Sequence, residues 1–131
     1  MSGSPFFARI KGDVLRIVSA VPPGRVVTFA DVGAHLDVMP RHVAYILAQL
    51  RPEEQTRTPW HRAVSADGTL ATPKENAFGI SQAELLREEG VTRDAAGRIA
   101  RFEEVRVEVA GLPHGVPPQT RPADAPRVRR R

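Results

Sequence analysis

Proline sets the scale of this chain. Pro22-Pro23-Gly24, Pro40, Pro52 and Pro59 interrupt the first sixty residues, and each lacks an amide donor, fixes its own φ and restricts the residue before it. The segments between them are long enough for short helices only. Ser4-Pro5 supplies an N-cap and a proline at the first helical position. Phe6, Phe7, Ile10, Val14, Ile17, Val18 and Val21 then recur at helical spacing, which predicts one apolar face. Pro22-Pro23-Gly24 stops that helix, and Arg25-Val26-Val27 reads as a brief extended link. Thr28, with Asp31 three residues on, resembles a capping box opening a short helix with Phe29, Val32 and Leu36 inward.

A turn over Asp37-Val38-Met39 leads to Pro40 and a further helix over about 40–50. Val43, Ile46, Leu47 and Leu50 share one of its faces, and Arg41, His42 and Tyr45 lie on the others. Two short helices joined by a tight turn have the shape of a helix-turn-helix. Many small helical domains contain such a pair, so the pattern alone leaves DNA binding open.

Residues 51–80 are rich in turn formers and read as loop. Ala63-Val64-Ser65 and Thr69-Leu70-Ala71 flank Asp67-Gly68 like the strands of a short hairpin, or wing. Ser81 with Glu84 is a second capping box, followed by Leu85, Leu86 and a Gly90 stop. Alternation of Val105, Val107 and Val109 with charged residues predicts a half-exposed strand. From about Gly111 the chain is rich in proline and arginine without a packing face, and is expected to be a disordered basic tail.

Composition narrows the chemistry. The 131 residues suffice for one domain with one modest core. The absence of cysteine excludes disulfides, thiolate metal sites and a cysteine nucleophile. The four histidines lack companion ligands at metal spacing, so neither a metal site nor a cofactor is expected, and His35, His42 and His114 read as surface residues. No glycine-rich phosphate loop or Ser-His-Asp set stands out. Apolar runs fall far below the roughly 20 residues a bilayer needs, which predicts a soluble cytoplasmic chain with no membrane partner. The net charge of +4 is confined to the tail: fourteen basic and fourteen acidic residues cancel over residues 1–111.

The stretch Thr58-Pro59-Trp60-His61-Arg62 holds the only tryptophan in a polar setting. Pro59-Trp60-His61-Arg62, with the helix pair before it, resembles the DNA-binding domain of the O6-alkylguanine-DNA alkyltransferases, whose hallmark is Pro-Cys-His-Arg followed by an apolar pair, here Ala63-Val64. Further matching blocks are Val21-Pro22-Pro23-Gly24-Arg25-Val26-Val27-Thr28-Phe29, Leu50-Arg51-Pro52-Glu53 and Leu85-Leu86-Arg87-Glu88-Glu89-Gly90-Val91. Tryptophan at the cysteine position is the signature of the alkyltransferase-like proteins, a non-enzymatic branch that binds alkylated guanine and hands the lesion to nucleotide excision repair.

The resemblance implies a mostly helical α/β fold of winged helix-turn-helix type over residues 1–91, an extension over 92–110 and a tail over 111–131. It implies a lesion pocket of Pro59, Trp60, His61, Ala63 and Lys74, with Lys74 reaching O6 or N7 of guanine or a phosphate. Arg41 aligns with the arginine finger that enters the base stack. Thr28 and Phe29 fall on the base-flipping side, where Phe29 replaces a tyrosine and lacks its hydroxyl. Without a thiolate at position 60 there is no alkyl acceptor. If Leu86 and Glu89-Gly90 fix the register, the relay glutamate falls at Ala83, and His61 loses its orienting partner too. An indole wall still suits recognition, since stacking on a flipped base contributes about 1–3 kcal/mol. The interval from Arg41 to Trp60 is about two residues longer than usual, in the Glu54–Thr58 loop.

The partners so implied are duplex DNA with alkylated guanine and excision-repair proteins, met by a monomer located in the cytoplasm, on the nucleoid or in a nucleus. Arg127, Arg129, Arg130 and Arg131 would add non-specific phosphate attraction. Arg62 is expected to be structural, bonding backbone carbonyls. Two competing expectations are a helix-turn-helix module for undamaged DNA and an enzyme with a non-cysteine acceptor.

Overall fold

The computed structural model describes residues 5–70 and 75–119. Helix α1 (Pro5–Ser19) follows the expected spacing, with Ile10, Val14, Ile17 and Val18 buried along it and Val21 buried just beyond its end. Phe6 departs from that face. It is 61% exposed, with the Arg9 guanidinium 5.4 Å from its ring. The chain then reaches β1 (Val27–Thr28) and α2 (Phe29–Leu36), which Thr28 caps by accepting the Asp31 N–H at 3.0 Å. The reciprocal half of the expected capping box is diverted: the Asp31 carboxylate accepts two bonds from Arg106, at 2.8 and 3.2 Å.

The corner into α3 (Pro40–Ala48) is tight. Gly33 accepts the Val38 N–H at 2.9 Å, and a Cβ on Gly33 would lie 2.6 Å from the Val38 carbonyl oxygen, so no side chain fits there. Val43, Ile46, Leu47 and Leu50 turn inward as expected, while Arg41, His42 and Tyr45 are exposed. Helices α2 and α3 pack together as the helix-turn-helix.

Residues 51–58 are not the loop expected there. Pro52 opens α4 (Pro52–Arg57), and the Glu54 carboxylate accepts the Arg51 N–H at 2.9 Å while meeting Lys11 of α1 at 2.9 Å. This buried carboxylate holds a helix that has no apolar face of its own. A 3-10 turn (Trp60–Arg62) leads into β2 (Ala63–Val64), which runs parallel to β1 with Val27 opposite Ala63 and Thr28 opposite Val64. The hairpin expected around Asp67-Gly68 survives at its tip, where Gly68 N–H bonds the Ser65 carbonyl at 2.9 Å and Ser65 N–H bonds the Thr69 carbonyl at 3.4 Å. Beyond that bond the flanks pair elsewhere, Ala63 and Val64 with β1 and Thr69 also with Arg98, because Ala63 and Val64 are both buried and belong inside the fold. Ala71 lies outside the described residues.

Helix α5 (Gln82–Glu88) carries the expected capping box of Ser81 and Glu84 and is followed by Gly90 at φ 89°. The predicted strand over Val105, Val107 and Val109 does not form. Val105 ends α6 (Phe102–Val105), Val107 donates to the Val26 carbonyl at 2.8 Å, and Val109 opens a 3-10 turn (Val109–Gly111). What remains of the strand is one parallel bridge, Arg106 with Val26, in which Val26 N–H bonds the Val105 carbonyl at 3.0 Å. Residues 111–119 also correct the expectation of a chain without a packing face, since His114 and Val116 are buried there and His35 is half-buried.

The short sheet separates two apolar clusters. Val27 and Ala63 join the larger one with α1, α2, α3, Trp60, Val109 and Val116; Val26 and Val64 join the smaller one with Leu86, Val91, Ile99 and Phe102. The protein is thus a mostly helical α/β domain built on a helix-turn-helix. No described helix is long and apolar enough to cross a membrane.

Candidate nucleic-acid interface

The Thr58–Arg62 stretch is a wound turn and not an open loop. Trp60 N–H bonds the Thr58 carbonyl at 2.7 Å and Arg62 N–H bonds the Pro59 carbonyl at 3.0 Å. Successive side chains on a 3-10 turn point about 120° apart. Trp60 consequently faces one way while His61 and Arg62 reach Glu89 on another. Gln82 clamps the turn from α5, its Nε2 donating to the carbonyls of His61 and Ala63, each at 3.0 Å. That buried glutamine was not singled out from sequence, because nothing in a capping-box helix tells which polar residue will meet a distant backbone.

Trp60 is 8% exposed. One part of the indole packs in the larger cluster, and another lines a cavity of about 620 Å³. Phe29, Arg41 and Ala63 line the same cavity. These four residues stand at or next to the starts of α2, α3, the 3-10 turn and β2, so four element starts converge on one hollow. Its remaining lining is mostly small or apolar, and Arg41 and Glu75 are the ionisable residues among those described.

Other expected site residues lie elsewhere. Pro59 and His61 border a second hollow of about 510 Å³, which Trp60 also borders. Thr28 is buried and its hydroxyl is committed to capping α2. Lys74, Arg127, Arg129, Arg130 and Arg131 lie outside the described residues. Among the described residues no group of three His, Asp or Glu side chains is placed to hold a metal ion.

The structure overturns one expectation at this site. Ala83, taken as the place of the missing relay glutamate, lines a separate hollow near Arg93 and Asp94. The carboxylate that meets His61 is Glu89, whose Oε2 lies 2.8 Å from His61 Nε2. Arg62 grips the same carboxylate through Nε at 3.0 and 3.1 Å and Nη2 at 2.6 Å, and Gly24 N–H donates to it at 3.1 Å. Arg62 Nη1 donates to the Val21 carbonyl at 2.8 Å, the structural role expected of it. The sequence signal was a glutamate directly before the Gly90 stop, but its partner stands 28 residues away.

These contacts set the charges. Burial works against ionisation of Glu89, yet the bonds from Arg62, His61 and Gly24 outweigh it and hold its pKa at about 2. His61 is pushed below the usual histidine value by burial, against the opposing pull of Glu89. A neutral imidazole beside an acceptor-only carboxylate carries its proton on Nε2, leaving Nδ1 as the basic nitrogen. A histidine–carboxylate pair is therefore intact here. The residue beside it on the cavity side is an indole, and the chain contains no cysteine, so this site offers no thiolate.

No curated protein matches the chain by sequence. Solved structures that share its fold include two from S. pombe. One is S. pombe Atl1 in complex with damaged DNA containing O6-carboxymethylguanine, 24% identical, covering 77% of this chain and 96% of that one with a TM-score of 0.64. The other is S. pombe ATL in complex with DNA, 23% identical, covering 82% of this chain and 99% of that one with a TM-score of 0.59. Residues 9–91 match the family described as 6-O-methylguanine DNA methyltransferase, DNA binding domain. With its helix-turn-helix and the Pro59-Trp60-His61-Arg62 turn inside that span, the chain belongs to this DNA-binding family.

Proposed function

We propose that this protein is a non-enzymatic sensor of alkylated DNA, which holds an extruded O6-alkylguanine against Trp60 and leaves its removal to nucleotide excision repair. The observation that carries this reading is the shared cavity: an indole wall, Phe29 and Arg41 meet at the starts of the two helix-turn-helix helices, in a chain with no cysteine. Both solved relatives were crystallised with DNA, one of them with an O6-alkylated guanine, which supports damaged DNA as the ligand.

Each residue has a task in this scheme. The indole stacks on or abuts the extruded base, an interaction of about 1–3 kcal/mol that tolerates varied alkyl groups. Arg41, exposed in the first turn of α3, fills the vacated place in the stack with a planar guanidinium that both stacks and bonds. Phe29 supplies bulk beside the flipped nucleotide without a phosphate-directed hydroxyl. Lys74 is assigned to the base or its phosphate. With Trp60 in the acceptor's place, His61 and Glu89 have no thiol to activate, and the bonds that Glu89 accepts from Arg62 and Gly24 serve the fold. The monomer acts wherever the DNA is, on a nucleoid or in a nucleus.

Gel-shift titration of matched duplexes carrying guanine or O6-methylguanine tests this reading. The lesion duplex is expected to bind at least tenfold more tightly, with no label passing to the protein from radiolabelled alkylated DNA. Equal affinities at several salt concentrations would instead favour a module for undamaged DNA, and label on the protein would make it an enzyme.

A further inference from the structure

Gln82, the first residue of α5, lines the same cavity as Trp60 and Arg41 and is 6% exposed. Its Nε2 donates to the His61 and Ala63 carbonyls, each at 3.0 Å, which commits both hydrogens of the amide. The reversed amide would set an oxygen against two carbonyl oxygens, so the nitrogen faces the turn and Oε1 is the atom left over. Among the described residues Oε1 has no hydrogen-bond partner. A buried acceptor without a donor is unfavourable, so this oxygen constrains what the cavity can hold.

Other acceptors on the lining are differently placed. Gln55 Oε1 already accepts the Ala77 N–H at 2.7 Å, and Glu75 is exposed, where water meets its carboxylate. The base read into this cavity is in turn poor in donors. Alkylation at O6 takes the proton from N1, which leaves the 2-amino group as the one N–H donor of the base, while N1, N3 and N7 are acceptors. Adenine and thymine carry no 2-amino group.

We propose that Gln82 is the residue that selects guanine derivatives: its Oε1 accepts a hydrogen bond from the 2-amino group of the extruded base. This rests on the reading of the cavity as a lesion pocket. Nε2, tied to two backbone carbonyls, holds the oxygen in position, so one amide both fixes the Trp60 turn and reads the base beside it. Recognition then divides into two parts. Alkylation weakens the base pair and lowers the cost of extrusion, and Gln82 reads which base has been extruded. A base without the amine, such as an O6-alkylated hypoxanthine or an O4-alkylated thymine, would seal Oε1 away unpaired, and rejection of this kind exceeds the gain from a single hydrogen bond.

The test titrates matched duplexes carrying guanine, O6-methylguanine or O6-methylhypoxanthine, which differs from the second only in lacking the 2-amino group, into the full chain and its Gln82→Lys and Glu75→Ala variants. The parent is expected to bind O6-methylguanine about tenfold more tightly than O6-methylhypoxanthine. Loss of the amino group also loosens the base pair and eases extrusion, which by itself would move affinity the other way. Lysine offers donors to the two carbonyls but no acceptor, so Gln82→Lys is expected to keep its fold by circular dichroism and to bring the ratio to roughly one. Glu75→Ala should keep it at about ten. A second readout needs no variant: the side-chain carbonyl carbon-13 resonance of Gln82 should shift on adding the O6-methylguanine duplex and stay in place with the hypoxanthine analogue. Equal binding of the two methylated duplexes by the parent overturns the role of Gln82, as does an unmoved Gln82 resonance. So does a ratio that survives in folded Gln82→Lys or vanishes in Glu75→Ala. Equal binding of O6-methylguanine and guanine strikes the pocket reading instead, because that comparison keeps the 2-amino group throughout.

Discussion

Two faces of one 3-10 turn obey opposite rules. On the cavity side Trp60, Phe29 and Ala63 offer apolar surface and few polar bonds, with Arg41 exposed at the rim. On the other side His61, Arg62, Glu89 and the Gly24 amide are packed together, and the Glu89 carboxylate accepts bonds from three residues. A surface meant to receive a base must stay unsaturated until the ligand arrives, whereas a buried charge is tolerated only when its partners are already present. The comparison teaches that a histidine–carboxylate pair can persist in a chain without cysteine, because the carboxylate also holds three segments together: the turn after α1, the 3-10 turn and the end of α5.

The sharpest way to break this division is to remove the saturated side. Glu89→Ala leaves Arg62 without its anion and is expected to cost about 3–5 kcal/mol of stability, read as a lower urea midpoint, while affinity per folded molecule changes less than twofold. A larger binding loss than stability loss would mean that Glu89 acts on the ligand. The pH dependence follows with the opposite control. The folded pKa of Glu89, about 2, lies below its ordinary value of 4.5, so its contribution is complete above about 4.5 and vanishes as pH falls to about 2. The linkage corresponds to on the order of 3 kcal/mol. Burial lowers the pKa of His61, so the unfolded chain binds that proton first and stability also declines as pH falls below 6.5. Glu89→Gln should flatten the lower limb, and an unchanged acid profile would contradict the assignment.

The receptive side is probed by smaller steps. Trp60→Ala is expected to lower lesion affinity by about 1–3 kcal/mol. It should also reduce stability, because the indole is buried in the larger cluster as well as lining the cavity; Trp60→Phe keeps a stacking face and should recover much of the binding. Arg41→Ala removes an exposed guanidinium, so binding to the lesion duplex falls by roughly 1.5 kcal/mol at constant melting temperature. Phe29→Tyr adds a hydroxyl to the cavity wall and, on the proposed reading, should tighten binding by up to about 1 kcal/mol, a gain checked in the same titration.

What could be read from the sequence differs between the two sides for the same physical reason. Helices α1, α2, α3 and α5 carry apolar periodicity and caps within a few residues, as Thr28 and Ser81 illustrate, and the motif at Pro59-Trp60-His61-Arg62 is local too. Helix α4 leaves no local pattern, because it is six residues long and is held by Glu54, a buried carboxylate reaching Lys11 of another helix. Spacing along the chain points to Ala83 and not to Glu89, because the contact with His61 spans 28 residues. The partner of Ala63 and Val64 is not legible locally, because by pattern they suit an exposed hairpin and a buried parallel pair equally well. Only burial on both faces of β2 decides between them.

The single tryptophan makes the central claim directly measurable. Fluorescence of Trp60 should be followed while equal duplexes with one guanine or one O6-methylguanine are added to saturation. A base held against the indole predicts a marked intensity change with the lesion duplex and little with its undamaged counterpart. The same change with both duplexes, or none with either at saturation, would contradict Trp60 as the wall that receives the damaged base.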